Sequence, residues 1–214
     1  MRFAVLGLFS SGSSGLAQML ECLGVDMGQP FYMNDIPGDK ENFYEPRDLS
    51  DKLRDWWNEP RMEATILRRI MISELKDWVQ YRENLTERRG VRDVGAKHPI
   101  LSMCGPELVQ AWGADTKFIW SWRDFDESVA SIRSRVAKGG FGNLKGHEES
   151  AQRKLWNAIT EFSKTTPQLI TIKWDDVKSN PERFARQLAS LCSEVPSQDK
   201  ILAAKNCIDD NHQS

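Results

Sequence analysis

The chain is 214 residues long, and 29 lysines and arginines stand against 31 aspartates and glutamates for a formal net charge of −2. With a pI near 6.0 it lacks the basic excess of a nucleic-acid binder or of a protein held on an anionic membrane surface. No apolar run reaches the roughly 20 residues of a membrane span, and the four cysteines (Cys22, Cys104, Cys192, Cys207) lack metal-ligand or disulfide-framework spacing, so the expectation is a cytoplasmic protein folded as a single domain over 1–214.

Met1 and Arg2 precede an apolar run, but the run is too short for a secretory leader and enters an amphipathic helix bearing Glu21. Phe3 to Leu8 is a short apolar stretch with a β-branched centre, which predicts a buried strand. Leu16, Leu20 and Leu23 then recur at helical spacing, with Gly24 placed to end the helix. Residues 25 to 60 are rich in Gly, Pro, Asn and Asp and read as irregular, more like a functional loop than a linker. A long helix is predicted over 61 to 88, with Leu67, Met71, Leu75 and Trp78 on one face. Together 25–90 reads as an irregular and helical insertion that shapes a ligand pocket.

"VRDVGAKHP" predicts a strand halted by Pro99, and "GPELVQAW" a short helix with Pro106 in its first turn. "TKFIWSW" is the next strand, with Trp120 and Trp122 on one face. "DFDESVASIRSRVAK" is a helix with acidic residues over its first turn, and "KGGFGNLKG" is a flexible gap. Leu155, Ile159 and Phe162 mark a helix, "QLITIKW" a strand, and Asn180 with Pro181 opens another helix. Strands alternating with helices predict an α/β fold of three layers, α/β/α, with a central mostly parallel sheet. In such folds ligands bind at the carboxyl ends of the strands, where the first loop, His98, Arg123 and Asp175 all emerge.

Between the first strand and helix runs "GLFSSGSSG". Its Gly7-to-Gly12 spacing matches the phosphate-binding loop G-x-x-x-x-G-K-S/T, but Ser13 stands where the lysine belongs. Backbone N–H groups at a helix N-terminus favour an anion. Hydroxyls at Ser10, Ser11, Ser13 and Ser14 add donors. An ATPase or kinase neutralises a triphosphate with that lysine and Mg²⁺. The third strand ends in Arg123 rather than in an acidic metal anchor, and Asp175 is the residue that keeps a kinase reading open. A sulfuryl group carries one negative charge where a terminal phosphoryl carries nearly two, so a loop of hydrogen-bond donors suits it better.

Four segments together resemble the sulfotransferases that use 3′-phosphoadenosine 5′-phosphosulfate (PAPS), in the manner of a small bacterial or phage-type member with the P-loop fold. "GLFSSGSSGLAQMLECLGV" is similar to the family's 5′-phosphosulfate loop, and "NFYEPRDL" to the aromatic-Glu-x-Arg stretch of bacterial members. "AKHP" followed by "WRDFDESVASIRSR" is similar to its Lys/His-Pro segment, strand, Arg, and Ser eight residues on. "TIKWDDVKSNPERFARQL" is similar to its strand-to-helix joint.

The resemblance implies transfer of a sulfuryl group from PAPS to a hydroxyl or amine of a small-molecule or glycan acceptor. The transfer is in line and metal-free, with adenosine 3′,5′-bisphosphate as product and no nucleic-acid or membrane partner. It implies that Ser10, Ser11, Gly12, Ser13 and Ser14 hold the 5′-phosphosulfate and that Arg123 and Ser131 hold the 3′-phosphate. The family's loop places Lys or Arg where Ser10 stands, so Lys97 or Arg47 is the candidate to supply the cation at the bridging oxygen, and without one the chain would be a slow catalyst or a binder only. The proton acceptor is His98 or Glu45, with Glu41 third. "AKGGFGNLK" imitates a family phosphate-gripping segment displaced in the chain, as a lid whose Lys138 or Lys145 reaches phosphate. Trp56 and Trp57 are candidates to stack adenine or substrate, though packing roles compete. The alternatives are a small-molecule kinase using ATP–Mg²⁺ and a nucleotide binder without chemistry.

Overall fold

The structure is a computed structural model and describes residues 1–33, 42–58 and 64–210. In chain order, Arg2–Gly7 (β1) leads into Ser13–Leu23 (α1), then Phe31–Met33 (β2), Asn42–Pro46 (β3), Arg47–Asn58 (α2) and Ala64–Glu87 (α3). Val94–Lys97 (β4), Gly105–Trp112 (α4), Lys117–Trp122 (β5), Phe125–Ala137 (α5) and Glu148–Thr165 (α6) follow. Leu169–Lys173 (β6), Trp174–Ser179 (α7), Pro181–Ala189 (α8) and Gln198–Asp210 (α9) complete the described chain.

Four strands form one parallel sheet in the order β4-β1-β5-β6, with Ala4 opposite both Ala96 and Phe118, and Trp120 opposite Thr171. The two-residue period of a strand sorts its side chains onto opposite faces. Phe3, Val5, Ile119 and Ile172 enter a core shared with α1, α8 and α9. Ala4, Leu6, Phe118 and Trp120 enter a second core with α2, α3, α4 and α6. Every residue of β1 after Arg2 is buried, because helices cover both faces of the sheet. The fold is the three-layer α/β/α arrangement expected from the alternation of elements. Trp120 and Trp122 both face Trp156, at ring-centroid distances of 5.7 and 6.4 Å.

Helix boundaries follow the local chemistry. Gly24 ends α1 with φ 103°, a left-handed conformation that costs glycine little. The Asp124 carboxylate accepts from the Asp126 and Glu127 N–H groups ahead of α5, and the Asn180 side chain accepts from the Arg183 N–H ahead of α8.

Two expectations need correction. Residues 25 to 60 are not irregular throughout: β2 and β3 pair antiparallel, and α2 follows directly from β3. The helical signal was present, since Leu49, Leu53 and Trp56 recur at i, i+4 and i+7, and Leu49 and Leu53 are fully buried. The second correction is α9, which the sequence reading did not anticipate. Ile201, Ala204 and Ile208 bury one face of it against α1 and α8, but an alanine contributes little to a periodicity signal.

Candidate functional site

A cavity of about 440 Å³ opens at the carboxyl ends of β1, β4 and β5. One wall is the β1–α1 loop with the first turn of α1; the others come from β3, the end of β4, α5, and single residues of later segments. Of the candidates read from the sequence, Ser10, Ser11, Gly12, Ser13, Ser14, Glu45, Lys97, Arg123 and Ser131 all line it. Residues as far apart in sequence as Ser10 and Ser131 are gathered there by parallel strands that all end on the same edge.

The loop is held from several sides. The Ser121 hydroxyl donates to the Ser11 carbonyl (2.8 Å), and Arg123 Nη1 donates to the Ser10 carbonyl (3.1 Å). The Ser14 hydroxyl donates to the Phe43 carbonyl (3.1 Å), which ties the start of α1 to β3. Gly12 caps α1 at φ 84°, and its carbonyl accepts the N–H groups of Gly15 and Leu16. The Trp174 ring lies so close that a Cβ built on Gly12 would sit 2.1 Å from it, and one on Gly15 2.3 Å from it. Glycine is therefore required at position 12 by both conformation and space.

Held this way, the loop keeps unspent donors. The Ser10 and Ser11 hydroxyl oxygens are buried with no hydrogen-bond partner. A buried polar atom without a partner costs free energy. At the mouth of a helix N-terminus these hydroxyls, with the first-turn N–H groups of α1, form a donor set that fits a tetrahedral anion.

The cavity is cationic although the chain as a whole is slightly acidic. Among the described residues, Lys97, Arg123 and Arg135 line it against the single carboxylate of Glu45. Sequence reasoning missed Arg135. It lies four residues after Ser131 on α5, so helical geometry puts the two on one face; a basic residue at i+4 from a suspected phosphate-binding serine was the signal to look for. Arg123 also pairs with Glu127 at 3.3 Å, an exposed i, i+4 contact.

Other expected cations lie elsewhere. Arg47 is exposed, 5.9 Å above the Tyr32 ring, and does not line the cavity. Lys138 and Lys145 are exposed and also outside the lining. The segment between them contributes Phe141 instead, whose ring lies 5.7 Å from Phe9 and 5.6 Å from Phe43. Neither Trp56 nor Trp57 reaches the cavity: the Trp56 indole donates to Glu74 (3.1 Å), and Lys154 lies over the Trp57 ring. The aromatic side chains at the cavity are Phe9, Phe43, Tyr44, Phe141 and Trp174. Asp175 pairs with Lys178 at 2.5 Å and stays outside the lining, and that hydrogen bond lowers its pKa. Of the 25–90 region, only Phe43, Tyr44 and Glu45 of β3 line the cavity among the described residues; Glu41 lies outside them.

Glu45, Lys97 and His98 form a buried group, 8%, 3% and 3% exposed. Lys97 Nζ donates to Glu45 Oε1 (2.8 Å) and to the Phe43 carbonyl (3.0 Å). His98 Nε2 lies 3.4 Å from Glu45 Oε2. Burial pushes the Glu45 carboxyl upward, but the charge of Lys97, its hydrogen bond and His98 outweigh burial, and the net shift is downward. Burial drives His98 down to about 4 against the pull of Glu45, so its imidazole is neutral at pH 7.

The tautomer of His98 follows from its hydrogen bond. Nδ1 accepts the Ile100 N–H at 3.1 Å, capping the 3₁₀ turn Pro99–Met103, so the ring proton of the neutral imidazole sits on Nε2, the nitrogen on the Glu45 side. Neither nitrogen offers a free lone pair, and the ring does not line the cavity. Of the two candidate proton acceptors, the geometry brings Glu45 to the cavity and places His98 behind it as its support.

The mixed α/β class is thus defined by one parallel sheet between two helical layers, with its cavity at the carboxyl edge. Among solved structures, the fold is similar to that of the sulfotransferase domain from the curacin biosynthetic pathway. The TM-score is 0.54 and the identity 16%, over 93% of this chain and 76% of that one. No protein-family model matches the sequence, and no curated protein matches it.

Proposed function

We propose that the protein is a PAPS-dependent sulfotransferase acting on a hydroxyl or amine of a small-molecule or glycan acceptor. The observation that carries this reading is the composition of the cavity wall. A serine-rich anion loop without a lysine, Arg123 beyond β5, Ser131 and Arg135 on α5, and a Lys97–Glu45 pair line one space.

The donor contributes an activated sulfuryl group and two separated anionic ends. The loop amides and the Ser10, Ser11 and Ser13 hydroxyls receive the 5′ end, around Gly12, with Ser14 holding the loop to β3 through the Phe43 carbonyl. Arg123, Ser131 and Arg135 receive the 3′-phosphate, for which planar guanidinium forks are suited. The fit rests on the unpartnered Ser10 and Ser11 hydroxyls and on three cations in one small cavity.

Lys97 carries three N–H donors and spends two, on Glu45 and on the Phe43 carbonyl. The third is available to the bridging oxygen, where negative charge grows as the sulfur–oxygen bond breaks. Glu45 accepts the proton that the acceptor loses as its own bond to sulfur forms. While Lys97 pairs with it, Glu45 is a weak base. As Lys97 shifts its charge toward the leaving oxygen, the buried carboxylate loses its counter-charge and becomes more basic. His98 keeps Glu45 oriented from behind.

Thermal denaturation with nucleotides tests the reading. Adenosine 3′,5′-bisphosphate without Mg²⁺ is expected to raise Tm by mass action, and AMP to raise it far less. Equal shifts from AMP, or a shift only with ATP and Mg²⁺, would overturn it in favour of a kinase. Tight bisphosphate binding with no transfer to any acceptor would leave a nucleotide binder without chemistry.

A further inference from the structure

The apolar wall of the cavity divides into two groups. Trp174 and Ile208 lie against α1: a Cβ built on Gly15 would sit 2.3 Å from the Trp174 ring and 3.2 Å from the Ile208 side chain. Phe9, Phe43 and Phe141 form the other group. The Phe141 ring stands edge-on to Phe9 with 5.7 Å between centroids, and tilted against Phe43 at 5.6 Å. At these separations aromatic rings attract one another.

This second group stands at the reaction centre. Phe9 directly precedes Ser10, and the Phe43 carbonyl accepts from Lys97 Nζ at 3.0 Å, the same ammonium that donates to Glu45. Phe9 is fixed from beneath by the fully buried Gln152 of α6, whose side chain accepts the Phe9 N–H (3.0 Å) and donates to the Phe9 carbonyl (2.8 Å). Phe141 is held in place at a backbone cost. It sits between Gly140 and Gly142 at φ 51°, a left-handed conformation uncommon for a bulky residue. A turn alone would be made more easily by glycine, so what this position supplies is the ring. Phe43 and Phe141 are only half-buried and present apolar surface to the cavity.

Two features choose between acceptors. A sugar among these rings would bury hydroxyls without partners, which costs free energy, whereas an aromatic ring buries apolar surface against them. Glu45, moreover, is a weak base at rest: burial pushes its carboxyl upward, but Lys97 and His98 outweigh burial and the net shift is downward. A phenol, at about 10 in tyrosine, gives up its proton far more readily than an alkyl hydroxyl, close to the roughly 15.7 of water.

Resting on the PAPS reading, we propose that the acceptor is a phenol, a small aromatic compound whose ring packs among Phe9, Phe43 and Phe141 and whose hydroxyl meets Glu45. Phe141 is the residue that sets this preference. The phenol proton passes to Glu45, and the phenol oxygen forms a bond to sulfur. The bond from sulfur to the bridging oxygen breaks, its electron pair leaving with adenosine 3′,5′-bisphosphate. The product is an aryl sulfate, and no oxidant or reductant takes part.

Calorimetry on the full chain tests this, first with adenosine 3′,5′-bisphosphate and then with 2-naphthol added to the bisphosphate-loaded protein. Naphthol is expected to bind while the bisphosphate stays bound. Transfer from labelled PAPS to 2-naphthol is expected to exceed transfer to glucose or to the saturated decahydro-2-naphthol by on the order of tenfold or more. Phe141→Ala is expected to weaken naphthol by about tenfold with bisphosphate affinity unchanged, and Phe141→Tyr, which keeps the ring, to restore it. The retained bisphosphate affinity shows that the variant is folded. Naphthol that displaces the bisphosphate, or fails to bind the loaded protein, would overturn the inference and leave the donor reading standing. So would equal transfer to the sugar or the saturated alcohol, or a Phe141→Ala variant that binds naphthol as the wild type does. A chain that does not bind the bisphosphate would overturn the donor reading itself, and this inference with it.

Discussion

Removing the Lys97 side chain tests the centre of the site through stability alone. Lys97 and Glu45 are almost without solvent, and the 2.8 Å contact is the only ion pair between Glu45 and a full-time cation among the described residues. Breaking a buried pair from one side strands the other charge, and such changes cost about 3–5 kcal/mol. Lys97→Ala is therefore expected to lose about 3–5 kcal/mol near pH 7, a large share of the stability of a domain this size. The sign of the pH dependence follows from the direction of the Glu45 shift. In the wild type its folded pKa lies below the ordinary value of 4.5, so its stabilisation is present above 4.5 and is lost as pH falls through the folded value. In the variant burial is opposed only by the lesser pulls of His98 and Arg54, the folded pKa is expected to move above the ordinary value, and Glu45 then opposes folding near pH 7 until it takes up a proton. The gap between the proteins is thus widest near pH 7 and narrows toward about pH 4. Urea denaturation at both pH values measures it. The double change Glu45→Gln with Lys97→Met removes both charges and is expected to cost much less than the single change. A loss below about 1 kcal/mol near pH 7, or a gap that stays flat with pH, would refute the buried-pair reasoning.

Three further outcomes are expected. Arg123→Ala and Arg135→Ala each weaken adenosine 3′,5′-bisphosphate by about 1.5–3 kcal/mol in calorimetry while leaving AMP nearly unchanged; equal losses for both ligands would remove the residue from the 3′-phosphate end. Gly12→Ala puts a Cβ into the Trp174 ring at a left-handed φ of 84° and is expected to lower Tm and abolish nucleotide binding, whereas a variant that binds normally would show that the loop can re-form. His98 is neutral in the folded protein down to about 4 and titrates near 6.5 when unfolded, so it adds stability above 6.5 that is lost as pH falls toward 4, on the order of 3 kcal/mol in all. His98→Asn keeps an acceptor for the Ile100 N–H and is expected to flatten that slope in urea titrations.

The fold was legible wherever one residue's neighbours along the chain decide its structure. The buried strand Phe3 to Leu8, the Gly24 stop and the Asn180–Pro181 start are local signals, and each corresponds to an element in the structure. The hairpin of β2 and β3 was not legible, because its strands are short and its pairing partners are separated along the chain. The loop serines were picked out by spacing and Arg123 and Ser131 by the family resemblance, and all of them line the cavity. The arrangement of Glu45 against Lys97 was not, since 52 residues separate them and only the approach of β3 to the end of β4 brings them together. His98 shows the same limit. Its residue type fits proton transfer near pH 7, and only its surroundings reveal an Nε2–H tautomer whose Nδ1 lone pair is taken by the Ile100 N–H.

The missing lysine of the loop then has a structural counterpart. A lysine inside a phosphate loop puts its charge beside the anion from the start, and the resting loop needs no other cation. Here the loop offers neutral donors only, while the charge stands on elements that meet it across the cavity: Lys97 from β4, Arg123 beyond β5 and Arg135 from α5. Lys97 has a resting partner in Glu45, a partner that a loop lysine facing the ligand would lack. Any anion that draws Lys97 toward itself therefore changes the basicity of Glu45 in the same motion. In a transferase this links occupation of the donor site to activation of the base, so the carboxylate is strongest when the leaving oxygen most needs the cation. On this arrangement Ser10→Lys is expected to uncouple the two. A second cation at the loop would let Lys97 stay on Glu45, tightening donor binding while weakening the base. Single-turnover transfer measured beside bisphosphate affinity separates these effects, and a variant in which both rise together would show that Lys97 and Glu45 act independently.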